Sequence, residues 1–174
     1  VGSLTEERGL KKMIKAYRIV KESLNINLTV VGGFYSSDLE KWAKNYDSKY
    51  NLKIKWKGWV NYTELAPLFS EADIGLCILQ DSERYIKAIS TKIFEYIIMG
   101  IPVLTSKGHM SDKLVSKGEY GMSVDSSNEK SIADGILTLL KQKYISKTSE
   151  DIIKSSRHKY VWERREGKII EVIK

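Results

Sequence analysis

Residues 90–104 read Ser90-Thr91-Lys92-Ile93-Phe94-Glu95-Tyr96-Ile97-Ile98-Met99-Gly100-Ile101-Pro102-Val103-Leu104. Apolar side chains at 93, 94 and 96–99 are too many for one stripe, so the spacing predicts a helix over 91–99 that is buried on most of its surface. Gly100 stops it, Pro102 prevents its resumption, and Val103-Leu104-Thr105 has the composition of a buried strand, placed at 102–105. A buried helix delivered straight into a buried strand is half of a β-α-β crossover, the connection that parallel strands require. Glu95 stands one turn into this helix, where a carboxylate needs a partner or costs several kcal/mol of desolvation. Lys92, three residues earlier, is the plain partner, but an i,i+3 pair contributes only about 0.2–0.5 kcal/mol, little reason for the position.

The same alternation extends in both directions. Residues 1–4 read as the end of a strand. Leu10, Met13, Ile14, Tyr17 and Val20 then form the apolar stripe of a helix, with Thr5 as its expected cap and Glu6 and Glu7 in its first turn. Leu28-Thr29-Val30-Val31 is a short buried strand ended by Gly32-Gly33, and residues 36–50 form a helix with Leu39, Trp42, Ala43 and Tyr46 on one face. Strands at 54–56, 74–79 and 121–124 alternate with helices at 63–70 and 131–141. The fold class is therefore α/β: a Rossmann-like parallel sheet with helices on both faces, over residues 1–145, its first strand truncated at Val1. Residues 146–174 are expected to be a helical tail. With no methionine at its start, the sequence reads as a piece of a longer chain.

Composition narrows the function. The 174 residues carry 29 basic and 22 acidic side chains, a net charge of +7. Residues 1–140 hold 19 basic and 17 acidic, whereas residues 141–174 hold 10 and 5, so most of the excess lies in the last fifth. A nucleic-acid reading needs a basic groove interleaved with aromatics, and only residues 160–165 have that pattern; no nucleic acid partner is expected. The single cysteine, Cys77, excludes a disulfide scaffold and points to a reducing, cytoplasmic compartment. His109 and His158 are the two histidines, neither at metal-ligand spacing, so no metal is expected. His109 reads as a surface histidine on a loop. No apolar run approaches the roughly 18 residues that span a bilayer, and neither a phosphate-binding Walker loop nor a Gly-x-Ser-x-Gly elbow is present.

In parallel sheets, ligands bind beyond the carboxyl ends of the strands. Three such loops stand out. Gly2 permits close backbone approach and Arg8 can reach a phosphate bidentately, although a solvated arginine in a turn is the plainer reading of that loop alone. Gly32-Gly33 admits a ligand beside the backbone or is simply a tight turn. The third loop feeds the Ser90 helix.

Together these segments resemble the glycosyltransferase family 4, retaining enzymes of the GT-B fold whose C-terminal domain binds a nucleotide-sugar. Residues 92–104 resemble the family signature. Residues 1–16 resemble its opening strand-loop-helix and residues 28–33 its Leu-x-Ile-x-Gly-x-Gly strand. Residues 54–76, ending in Ala72-Asp73-Ile74, resemble its Gly-x-Val … Ala-Asp-Val stretch, and Trp162-Glu163 resembles the start of its closing helix. The resemblance implies a role for each loop. Glu95 matches the second Glu of the family's Glu-x7-Glu motif, which bonds the ribose hydroxyls. Ser90 and Thr91 match the helix N-terminus that meets the diphosphate, with Lys92 as a second cation near it. Arg8 matches the cation that neutralises charge on the leaving diphosphate. Gly2 and Gly33 match sites of close backbone approach, and Trp59 and Val60 match the loop that clasps the base. Two positions depart: Lys87 stands where the first Glu would touch the donor sugar, with Glu83 four residues off register, and Ser3 stands where many members carry an Arg.

The resemblance thus implies the donor-binding half of a retaining glycosyltransferase, taking a nucleotide-diphosphate-sugar without a metal cofactor. Its expected partners are an N-terminal acceptor domain and a glycan or lipid-linked acceptor, with peripheral contact at the inner face of a membrane. A catalytically inactive GT-B-like binding module is the alternative that Lys87 and Ser3 leave open.

Overall fold

The computed structural model describes residues 1–117, 120–141 and 154. Among the described residues five strands and seven helices alternate, except that α4 and α5 are consecutive: α1 (Leu10–Lys21), β1 (Thr29–Val30), α2 (Ser37–Lys49), β2 (Lys55–Trp56), α3 (Tyr62–Ser70), β3 (Gly75–Cys77), α4 (Glu83–Ile86), α5 (Thr91–Ile98), β4 (Val103–Ser106), α6 (Met110–Lys117), β5 (Gly121–Val124) and α7 (Glu129–Lys141). Every pairing is parallel, β1 with β2 in one ladder and β3-β4-β5 in another. Residues 1–4 run beside β1 in the same direction: the Gly2 N–H donates to Val31 O at 2.9 Å and the Leu4 N–H to Gly33 O at 2.8 Å.

The side-chain period of two distributes the core to both faces. On β4, Val103 joins a cluster with Phe69 of α3 and Ile93, Tyr96 and Ile97 of α5. Its neighbour Leu104 faces the other way, onto Val20 of α1 and Ile132, Ile136 and Leu139 of α7. A strand covered on both faces reads as an unbroken apolar run, which is why these strands are conspicuous in the sequence. A third cluster, Ile14 and Tyr17 with Val30, Leu39 and Ile54, closes α1 and α2 over β1. Thr105 and Ser106 are also fully buried, and their hydroxyls donate to Cys77 O (3.3 Å) and Leu79 O (2.6 Å), tying β4 to the segment following β3.

The structure corrects the sequence reading in four places. α1 starts at Leu10, not near Thr5, because Gly9 takes a left-handed φ of 72° that a helix cannot include. Thr5 Oγ1 instead accepts the Arg8 N–H at 3.1 Å, and Glu6 and Glu7 lie in the preceding turn. α4 and α6 occupy stretches to which the sequence assigned no element; α4, four residues long, is too short to show a periodicity. His109 is buried rather than on the surface, its Nε2 2.9 Å from Asp81 Oδ1 and its Nδ1 without a partner among the described residues. The boundary at 145 and the helical tail over 146–174 lie outside the described residues, Lys154 excepted. Among the described residues no helix is long and apolar enough to cross a membrane.

Candidate functional site

The carboxyl ends of the strands open into a cavity of about 410 Å³. Its floor is the apolar run Cys77-Ile78-Leu79 that follows β3, and its walls come from the loop at residues 2–8, the α4 segment and the start of α5. Gly9 seats the first wall. A β-carbon there would fall 2.0 Å from Ile78 O, so only glycine lets the loop lie against this strand. The Gln80 N–H then donates to Glu7 O at 2.8 Å and fixes the contact. The Arg8 guanidinium lies over Gly2, where a β-carbon would meet Nη1 at 3.3 Å.

On the facing wall Ser90 is the N-cap of α5, and its side chain makes no capping hydrogen bond, so the first-turn N–H groups of Thr91 and Lys92 remain available. These donors and the positive end of the helix dipole suit an anion. Cys77 is no nucleophile: burial pushes its thiol up, against a hydrogen bond with Ser90 that pulls it down. Lys92 Nζ bonds both Glu95 oxygens, at 3.1 and 3.2 Å, each side chain being about one-fifth exposed. Arg8, Arg84 and Lys92 line the cavity, and among the described residues no carboxylate does.

Of the residues singled out in the sequence, Gly2, Ser3, Arg8, Trp59, Ser90, Thr91 and Lys92 converge on this cavity. Four do not line it. Gly33 acts through Trp59, whose indole packs so closely that a β-carbon on Gly33 would fall 2.1 Å from Nε1. Val60 packs against the α3–α5 core cluster. Lys87, the C-cap of α4, is exposed and away from the cavity. Glu95 is held by Lys92, the internal partner the sequence offered as its plainer reading. Arg84 and Tyr85, both lining the cavity from α4, carry no signal in the sequence, because four helical residues leave no periodicity. Among the described residues no group of three His, Cys, Asp or Glu could hold a metal ion.

A parallel sheet flanked by helices, with an anion-suited cavity at its carboxyl ends, has the architecture of a GT-B glycosyltransferase domain, and its neighbours among solved structures are of that kind. The chain belongs to the family described as glycosyl transferases group 1, whose model matches residues 1–159. No curated protein matches it by sequence. It is similar in fold to HepE (Alr3699) of Anabaena, crystallised with UDP-glucose, at a TM-score of 0.82 and 17% identity over 99% of this chain and 47% of that one. The C-terminal domain of LpcC, a glycosyl transferase group 1 family protein from Francisella tularensis, superposes with a TM-score of 0.76 at 17% identity, over 92% of this chain and 83% of that one. The catalytic domain of the cholesterol-α-glucosyltransferase of Helicobacter pylori does so at 0.73 and 19%, over 91% and 94%. The chain spans about half the length of the HepE structures.

Proposed function

We propose that this chain is the donor-binding half of a retaining, family-4-type glycosyltransferase, which moves a sugar from a nucleotide diphosphate to a glycan or lipid-linked acceptor. The observation that carries this reading is the cavity at the strand ends, lined among the described residues by three cations and no carboxylate and facing the open N-terminus of α5. Its chemistry fits a diphosphate. When the bond between the anomeric carbon and the distal phosphate oxygen breaks, its electron pair stays on that oxygen, while the anomeric carbon bonds the acceptor oxygen and the acceptor's proton is released. Arg8 forms no ion pair among the described residues, so its full charge meets the anion that develops, without a metal. Thr91 and Lys92 donate backbone hydrogen bonds to the same group. Trp59 covers the base, and Glu95, which lies behind Lys92 and outside the lined cavity, accepts from the ribose hydroxyls once Lys92 turns to the diphosphate.

The relatives crystallised with UDP and UDP-glucose support a nucleotide-sugar as ligand. The acceptor is bound by an N-terminal half across a cleft, so the chain alone binds nucleotide weakly and transfers nothing. It works in the cytoplasm, peripheral to the membrane face where lipid-linked acceptors lie. One observation favours the alternative, a binding module without catalysis: among the described residues neither Lys87 nor any carboxylate lines the cavity to grip a donor sugar. Sugar transfer by the full-length protein, assayed over a panel of UDP-, GDP- and ADP-sugars with Arg8→Ala as control, decides between them. Transfer abolished by Arg8→Ala supports the enzyme; nucleotide binding without transfer or donor hydrolysis supports the module.

A further inference from the structure

We infer that Arg84 is a second diphosphate-binding cation, an assignment that rests on the donor-binding reading above. Arg8 and Arg84 enter the same cavity from different walls, one from the loop ahead of α1 and the other from α4. Neither forms an ion pair among the described residues, and no Asp or Glu lines the space between them. The third cation, Lys92, is already neutralised by Glu95. Two guanidinium groups with no ion pair among the described residues therefore line one cavity. Such an arrangement is unfavourable when empty and attractive to an anion carrying more than one charge.

Arg84 is also held in place. The Ser82 hydroxyl caps α4 by accepting the Tyr85 N–H at 3.3 Å, and the Tyr85 ring packs against the α3–α5 core cluster. The Arg84 guanidinium lies 5.7 Å from the centre of that ring. Arg84 is exposed, and that ring contact engages none of its N–H donors, so the planar fork is left for the ligand. Lys87, the C-cap of the same short helix, is exposed like Arg84 but does not line the cavity, which makes it the internal control. The role belongs to a diphosphate rather than to a base or ribose, because those are neutral. The charge added to the distal phosphate as the sugar leaves makes the contact stronger in the transition state than in the bound donor.

The test uses the full-length protein. UDP, GDP and ADP are titrated calorimetrically, the tightest is taken forward, and its matching nucleoside is followed by NMR. Arg84→Ala should raise the diphosphate Kd about tenfold. It should change the nucleoside's affinity by less than about twofold, as should Lys87→Ala for the diphosphate. Arg84→Lys, which keeps the charge and loses the fork, should fall between. In a transfer assay, Arg84→Ala should lower kcat more than it raises the donor KM. A wild-type protein that binds none of the three diphosphates overturns the donor-binding reading and this inference with it. A wild type that binds, beside an Arg84→Ala variant of equal affinity or one that loses diphosphate and nucleoside alike, overturns the role of Arg84 alone.

Discussion

Replacing Glu95 by alanine separates two accounts of that residue by the sign of one measurement. Its carboxylate is bonded through both oxygens to Lys92 Nζ, with each side chain about one-fifth exposed. As a structural pair at i,i+3 it contributes about 0.5 kcal/mol, and at most about 1 kcal/mol given its partial burial. If that were its whole role, Glu95→Ala would release a cation that lines the cavity, and a nucleoside diphosphate would bind as well as before or more tightly. If the carboxylate accepts from the two ribose hydroxyls, two charge-assisted hydrogen bonds are lost, together about 3 kcal/mol or roughly a hundredfold in Kd. Calorimetric titration of the full-length protein and its Glu95→Ala variant, with urea unfolding of both, reads the two quantities separately. The expected result is a stability loss under about 1 kcal/mol beside a hundredfold weaker Kd, with most of the weakening gone when the ligand is the 2′,3′-dideoxy nucleotide. Unchanged or tighter binding, or an equal loss with the dideoxy analogue, would refute the ribose role.

Further substitutions test the walls of the site and the packing behind it. Gly33→Ala puts a methyl group where the Trp59 indole lies; that side chain is 74% exposed and yields, so unfolding in urea should move by less than about 0.5 kcal/mol. Nucleotide affinity should then fall by up to about tenfold, the worth of one aromatic contact. Gly9→Ala meets the main-chain oxygen of Ile78 with a φ of 72° that strains any β-carbon, so a loss of about 2–4 kcal/mol is expected in the same unfolding assay, with weakened diphosphate binding as Arg8 shifts. Glu129 joins α7 to Lys12 and Lys15 of α1 at 3.0 and 3.4 Å. Its own backbone N–H and the Lys12 ammonium hold the carboxyl below its ordinary range. A depressed carboxyl stabilises the fold above its unfolded pKa, and that stability is lost as pH falls through the folded value. Glu129→Gln should therefore cost about 0.5–1 kcal/mol at pH 7, and the gap to wild type should close as acidification carries the pH below the ordinary carboxylate range and through the folded value; a gap independent of pH would show that packing, not charge, accounts for it.

The alternation of elements was legible because strands buried on both faces must be apolar throughout, as with Val103 and Leu104, whose side chains enter opposite clusters. Gly100 and Pro102 marked the end of α5 for reasons of backbone geometry that no packing overrides. The site was legible where a residue type is dictated locally: Gly2 and Arg8 in one loop, Ser90 and Thr91 in another. What the sequence hid depends on contacts between distant residues. Nothing near His109 announces that Asp81, 28 positions earlier, will reach it. Gly9 reveals its left-handed turn only against Ile78, so Thr5 looked like the better cap. Arg84 escaped because four helical residues leave no periodic trace of which side chains the helix turns to the cavity.

The central claim, that these strand ends form a nucleotide-diphosphate site, is tested most directly by calorimetric titration of the full-length protein with UDP, GDP and ADP. The account predicts that at least one binds and that Arg8→Ala weakens it about tenfold, as expected for one lost charge-assisted contact. Failure of all three to bind the wild-type protein would contradict it.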